Sequence, residues 1–167
     1  MRFKTPVQDC FITSYFDEER NYKFAPKRIQ RHEGIDYAPA YDDKREFSIY
    51  AAADGEILQV GWDKNGYGHF VVIKHNAQYN TLYAHLKKKS TLTVGEKVTT
   101  ETVLGIMGST GFSTGRHLHF VVQDMINGLN NYVYPKVVDP LPLMVSKIDT
   151  CEMSFSCYTV ISRLIHI

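Results

Sequence analysis

An all-β domain of antiparallel strands is the fold class that this sequence predicts. Three observations carry that expectation. Short runs are rich in β-branched and aromatic residues, Gly or Asn turns separate them, and no window beyond about ten residues keeps a helical apolar stripe.

The elements follow in chain order. Residues 56–60 (EILQV) come after an Asp54-Gly55 turn, and residues 69–73 (HFVVI) after Asn65-Gly66-Tyr67-Gly68. Residues 81–86 (TLYAHL), 103–107 (VLGIM) and 117–122 (HLHFVV) complete the series. Residues 17–31 are polar and read as a long loop. After the Pro140-Leu141-Pro142 break, residues 146–167 form a mixed tail without clear periodicity.

At 167 residues the chain suits one domain with a genuine hydrophobic core. Its 44% apolar and 22% charged residues are ordinary for a soluble globular protein. A formal net charge of +1 implies no polyelectrolyte partner, and Lys87-Lys88-Lys89 reads as a solvated turn. With no basic stripe, zinc-finger spacing or RNA-binding signature, nucleic acid is not the expected partner. The N-terminus (MRFKTPVQDC) lacks the apolar core of a signal peptide, and no apolar run approaches the length of a membrane span. The three cysteines, Cys10, Cys151 and Cys157, form no CxxC pair. They read as free thiols packed like small apolar residues, with a Cys151–Cys157 bridge as the alternative.

The chemistry concentrates in the histidines, of which there are seven. His117 and His119 stand two apart, so on a strand both imidazoles face one site. His32 and Asp36 begin like the helical HExxH zinc motif, but position 36 is Asp, and Gly34 and Pro39 oppose a helix. An extended turn still brings both to one metal. His85 lies in a predicted strand and would share a face with Thr81 and Tyr83. Singly, each signal has a bland alternative: a chance HxH pair, a surface His with a turn-capping Asp, a satisfied structural His. Together they form one coherent set. Two histidines and one carboxylate suit Zn²⁺, and three protein ligands leave a position open for water. Amide hydrolysis then needs two further groups, one to take a proton and one to steady the oxyanion or protonate the leaving amine.

At this point the sequence resembles the lysostaphin-like, or LytM-type, zinc endopeptidases of peptidoglycan. The resemblance spans residues 7–143, leaving 144–167 as a tail of unassigned structure. It runs in order through Ile12-Thr13-Ser14-Tyr15-Phe16, Arg31-His32-Glu33-Gly34-Ile35-Asp36-Tyr37, Ala51-Ala52-Ala53-Asp54-Gly55 and Gly66-Tyr67-Gly68. It continues through Tyr83-Ala84-His85-Leu86, the stretch from Gly108 to Phe120 (GSTGFSTGRHLHF) and Val138-Asp139-Pro140. The resemblance implies a compact antiparallel β-sandwich or barrel-like domain with its site in a groove. It implies one Zn²⁺ per chain on His32, Asp36 and His119, with His85 and His117 as the non-ligand catalytic pair. It implies peptidoglycan peptides as substrate, cut at a stem cross-link or a cross-bridge, with action at the bacterial cell wall; the sequence leaves the oligomeric state open, and a monomer is the expectation. Without a visible signal peptide, a phage-encoded lysin or virion protein, or a piece of a longer exported protein, is expected. The alternative is a catalytically silent binding or regulatory module on the same fold. Such modules lose ligands or catalytic histidines, whereas all five positions are filled here. Three departures stand out. His69 occupies a position that is often Asn and is read as a rim residue. Phe16-Asp17-Glu18-Glu19-Arg20 is looser than the usual Phe-Gly-x-Arg. Tyr22, upstream of the first motif, is given no role.

Overall fold

The computed structural model describes residues 1–20, 30–126 and 136–145. Its strands are β1 (Phe11–Ser14), β2 (Glu19–Arg20), β3 (Gln30–Arg31), β4 (Ile35–Ala38), β5 (Ser48–Tyr50), β6 (Gly55–Asp63), β7 (Gly68–Lys74), β8 (Tyr79–Leu86), β9 (Lys97–Val98), β10 (Val103–Ile106), β11 (Leu118–Asp124) and β12 (Lys136–Val138). One 3₁₀ turn, Leu141–Leu143, follows. The large sheet runs β1-β4-β11-β8-β7-β6-β9, with β12 also on β11; β5–β10 and β2–β3 form two small ribbons. Every pairing between named strands is antiparallel. The all-β antiparallel class is therefore what the structure shows. The polar stretch expected to be one long loop instead has its ends paired, Glu19 with Arg31 and Arg20 with Gln30.

Strands β8 and β11 lie in the middle of the sheet and are buried along nearly their whole length. Such strands are apolar on both faces rather than alternating. Leu118, Phe120 and Val122 point into the main core with Ile35, Tyr37 and Tyr83, while Val121 packs on the other face with Phe70, Val72, Leu82 and Ala84. The β5–β10 ribbon lends Ile49 and Leu104 to the main core. The packing also takes in both ends of the described chain. Phe3 is fully buried, its N–H donates to the Leu143 carbonyl and its own carbonyl accepts from Val145. Cys10 packs partly buried against this core as a free thiol, and burial pushes its pKa up to about 11. Cys151, Cys157 and Tyr22 lie outside the described residues. No helix among the described residues is long and apolar enough to cross a membrane.

Candidate active site

The register of three strands sets the site. His119 on β11 pairs with Asp36 on β4 and with Ala84 on β8. Because side chains alternate along a strand, Asp36 and His119 leave the main core and meet on the opposite face. Gly34 makes the approach possible: a Cβ there would fall 2.2 Å from the Phe120 carbonyl oxygen. The turn at residues 32–34 then carries His32 alongside Asp36, so the pair sits on an extended segment, as Gly34 and Pro39 require.

Three donor atoms converge. His32 Nε2 lies 3.0 Å from Asp36 Oδ1 and 2.9 Å from His119 Nδ1, and His119 Nδ1 lies 2.8 Å from Asp36 Oδ1. All three residues are buried. His32 Nδ1 donates to the Tyr15 carbonyl at 2.7 Å, which leaves Nε2 with a bare lone pair turned to the other two donors. Burial alone would raise the Asp36 pKa. Its polar contacts with His119, His32 and Arg20 outweigh it and hold the carboxyl well below the usual range. Arg20 donates to Asp36 Oδ2 at 2.7 Å, fixing the carboxylate so that Oδ1 faces the imidazoles. A carboxylate oxygen and a bare imidazole nitrogen 3.0 Å apart repel unless a proton or cation lies between them. Neutral imidazole nitrogens with one carboxylate are also the donor set of a three-ligand divalent centre, so these residues fit a metal ion.

His85 and His117 complete the cleft. His85 Nδ1 donates to the Thr110 carbonyl and His117 Nδ1 to the Gly115 carbonyl, each at 2.8 Å. Their ring centroids are 4.6 Å apart, and His85 is 6.0 Å from His119. His117 Nε2 comes within 4.0 Å of Asp36 Oδ1. Burial, then the neighbouring His117, pushes the His85 pKa down to about 4. Burial likewise lowers that of His119.

Simple alternation misplaces His85. On a regular strand it would share the face of Thr81 and Tyr83 and enter the main core. Its φ is instead +60°, in the left-handed region that non-glycine residues seldom occupy. The reversal lets Leu86 take the core position and turns His85 out into the cleft. The Tyr67 carbonyl holds the bend by accepting the His85 N–H at 2.8 Å. Strain of this kind is of order 1–3 kcal/mol and collects at functional sites.

His69 and His75 stay out of the group. His69 lies tilted against Trp62, with ring centroids 4.4 Å apart, and His75 is tied into the core beside Phe3. The cleft, about 660 Å³, is also lined by residues to which sequence reasoning gave no role, and some of them bear on its chemistry. Those that do are Arg20, Glu33 and Tyr67. Tyr67 lies nearly parallel to the His119 ring, 5.9 Å away at 19°. Its hydroxyl donates to Glu33 Oε2 at 2.8 Å. Burial, then the Glu33 charge, pushes the Tyr67 phenol pKa up. The available signal was Gly66-Tyr67-Gly68, a lone aromatic between two glycines at a strand junction.

Comparison with known proteins agrees with this geometry. Residues 30–134 match Peptidase family M23. The chain is 32% identical over 109 residues to an uncharacterized metalloprotease of Haemophilus influenzae, covering 65% of this chain and 22% of that protein. It is 30% identical over 129 residues to lysostaphin of Staphylococcus staphylolyticus, covering 77% and 26% respectively. The chain thus spans about a quarter of the length of these curated relatives. Among solved structures, a zinc containing peptidase from Vibrio cholerae superposes with a TM-score of 0.68 at 29% identity, over 84% of this chain and 40% of that one. The catalytic domain of lysostaphin from Staphylococcus simulans superposes with a TM-score of 0.62 at 25% identity, over 80% and 90%. A family match over more than half the chain, on a fold that gathers two histidines and an aspartate beside a second histidine pair, places this protein in Peptidase family M23, among the lysostaphin-like and LytM-type peptidases.

Proposed function

We propose that the chain is a zinc-dependent endopeptidase that hydrolyses a peptide bond in bacterial peptidoglycan, with residues 7–143 as its peptidase domain. The observation that carries this reading is the single cleft shared by His32, Asp36, His119, His85 and His117. His32 Nε2, Asp36 Oδ1 and His119 Nδ1 would hold one Zn²⁺. When bound, zinc supplies a Lewis acid that brings the pKa of water to about 7.

This chain's own residues then supply the proton traffic. His85 and His117 each spend Nδ1–H on a carbonyl, so each presents Nε2 to the cleft. With its pKa depressed by burial, His85 stays neutral at pH 7 and can accept a proton. One of the pair takes a proton from the attacking water. The proton so taken up at Nε2 is then passed to the leaving amine, and the other histidine steadies the oxyanion when it carries a proton at Nε2. Arg20 holds Asp36 in place from behind. Lysostaphin and the Vibrio cholerae peptidoglycan DD-endopeptidase ShyC, 31% identical over 132 residues, support peptidoglycan as the substrate and the cell wall as the place of action.

The test is digestion of purified muropeptides from Gram-positive and Gram-negative walls, with mass spectrometry of the products and elemental analysis of the protein. Stoichiometric zinc and cleavage at one defined peptide bond are expected. Intact muropeptides after incubation with zinc-loaded protein would refute the reading.

A further inference from the structure

We propose that Glu33 selects the substrate by pairing with a free amine of the peptide near the scissile bond. This deepens the peptidase reading above and rests on it. The carboxylates and arginines of the cleft differ in what remains open to a ligand. Asp36 is spent on His32, His119 and Arg20. Asp63 accepts the main-chain N–H of Asn65 at 3.0 Å and of Tyr67 at 3.3 Å. Arg31 is paired with Asp17 at 3.0 Å and Glu19 at 3.3 Å, and Arg20 with Asp36. Glu33 accepts the Tyr67 hydroxyl at Oε2 and, among the described residues, joins no ion pair.

Glu33 is exposed, yet its carboxylate is not free to wander. Tyr67 holds it, and Tyr67 is itself fixed on three sides. Its ring stacks on His119, packs edge-on to Phe70 at 5.8 Å, and its carbonyl accepts the His85 N–H. A negative charge without an ion-pair partner among the described residues therefore sits on the cleft rim, held by a tyrosine that itself touches His119 and His85. An ammonium reaching that rim gains a charge-assisted hydrogen bond without disturbing another pair. A neutral or shortened side chain gains nothing there. Because the pair is solvated, the preference is modest and falls as salt screens it.

The test uses cross-linked muropeptide dimers in three forms: unmodified, reductively dimethylated at free amines, and acetylated there. Dimethylation keeps the charge while adding bulk close to that of acetylation, which removes it. Wild-type kcat/KM should be about fivefold higher on the dimethylated than on the acetylated dimer, the scale of an exposed ion pair. Glu33→Gln should bring that ratio close to one, and Glu33→Lys should invert it. Tyr67→Phe, which releases the carboxylate, should give an intermediate ratio. Raising the salt concentration should shrink the wild-type ratio and leave that of Glu33→Gln where it is. Cleavage of all three dimers with no preference, or with a preference that survives Glu33→Gln, overturns the role of Glu33 and leaves the peptidase reading intact. No cleavage of any dimer by zinc-loaded wild type overturns both.

Discussion

His75 and the cleft histidines begin from the same chemistry and end in opposite states. His32, His85 and His117 each donate one ring N–H to a main-chain carbonyl, of Tyr15, Thr110 and Gly115. His75 does the same to Asp54, at 2.8 Å. The difference lies at the second nitrogen. His75 Nε2 bonds to the Thr81 hydroxyl at 2.7 Å, Thr81 bonds to the Tyr83 hydroxyl at 2.9 Å, and Tyr83 accepts the Ala52 N–H at 2.8 Å. That chain closes on itself inside the core. In the cleft, Nε2 of His85 and of His117 makes no hydrogen bond among the described residues, and His32 Nε2 turns to Asp36 and His119. A carbonyl partner fixes a tautomer in either setting. Only an open second nitrogen makes the imidazole available to a metal or a proton.

The largest expected effects separate members of the cleft itself. His119→Ala should lose bound metal and activity together, because the metal would lose one of three protein donors. His117→Ala should keep the metal and the fold but lower kcat by about a hundred- to ten-thousandfold, the range for removing general acid–base help. His85→Ala should behave like His117→Ala, and the double variant should be less than additive if the pair works as a unit. Elemental analysis alongside steady-state kinetics reads all of these. If His117→Ala empties the metal site and His119→Ala leaves it full, the two roles are exchanged.

The strand plan was legible because Gly and Asn turns punctuate short β-branched runs. The strands at residues 55–63, 68–74, 79–86 and 118–124 fall where those runs lie. The cleft histidines were legible as spacings and as one set, and their division into ligands and a non-ligand pair came through the resemblance. What stayed hidden depends on tertiary contact. Nothing local to residue 85 announces a left-handed backbone, so alternation assigned it the wrong face. Tyr67 and Glu33 are 34 residues apart in sequence and join only through the fold. Arg20 sat in a segment read as a loose departure, yet it reaches Asp36 across β1. Sequence periodicity reports which face a residue prefers, not which partner awaits it there.

Smaller effects test the shells around the two kinds of histidine. Arg20→Gln removes the partner of Asp36 Oδ2 and should weaken metal affinity about ten- to a hundredfold, the usual cost of losing an outer-shell contact. A chelator competition titration measures it, and unchanged affinity would make Arg20 a bystander. His75→Gln should leave turnover alone and cost about 1 kcal/mol of stability, seen as a drop of about 2–4 °C in Tm. The sign of the pH effect follows from burial, which lowers the His75 pKa below 6.5 in the folded state. The unfolded chain then takes up the proton first. Stability is full above the unfolded pKa and falls as pH drops below about 6.5, by up to about 1.4 kcal/mol per unit. Thermal melts of the metal-loaded protein between pH 7.5 and 5 should show this slope shrink in His75→Gln. A slope unchanged by the substitution would remove His75 as its source.

His69 should give the smallest effect of all, although its main chain is tied to the residue that positions His85. Its main-chain N–H donates to Thr110 Oγ1 at 3.0 Å, and the Thr110 carbonyl in turn positions His85. The imbalance is that the backbone of His69 matters while its imidazole does not. The ring lies against Trp62, and its buried Nδ1 has no hydrogen-bond partner among the described residues. A side chain that neither reaches the metal donors nor completes a buried network resembles neither His85 nor His75. His69→Gln keeps the main-chain donor to Thr110 and should change kcat/KM by no more than about twofold, the equivalent of the 0.5 kcal/mol scatter of surface substitutions. Thr110→Val, which deletes the hydroxyl that takes that N–H and donates to the Leu86 carbonyl at 2.7 Å, should cost more than His69→Gln because it loosens the carbonyl behind His85. If the order is reversed, the His69 imidazole belongs with the cleft group after all. A thousandfold loss in His69→Gln with the metal still bound would have the same meaning.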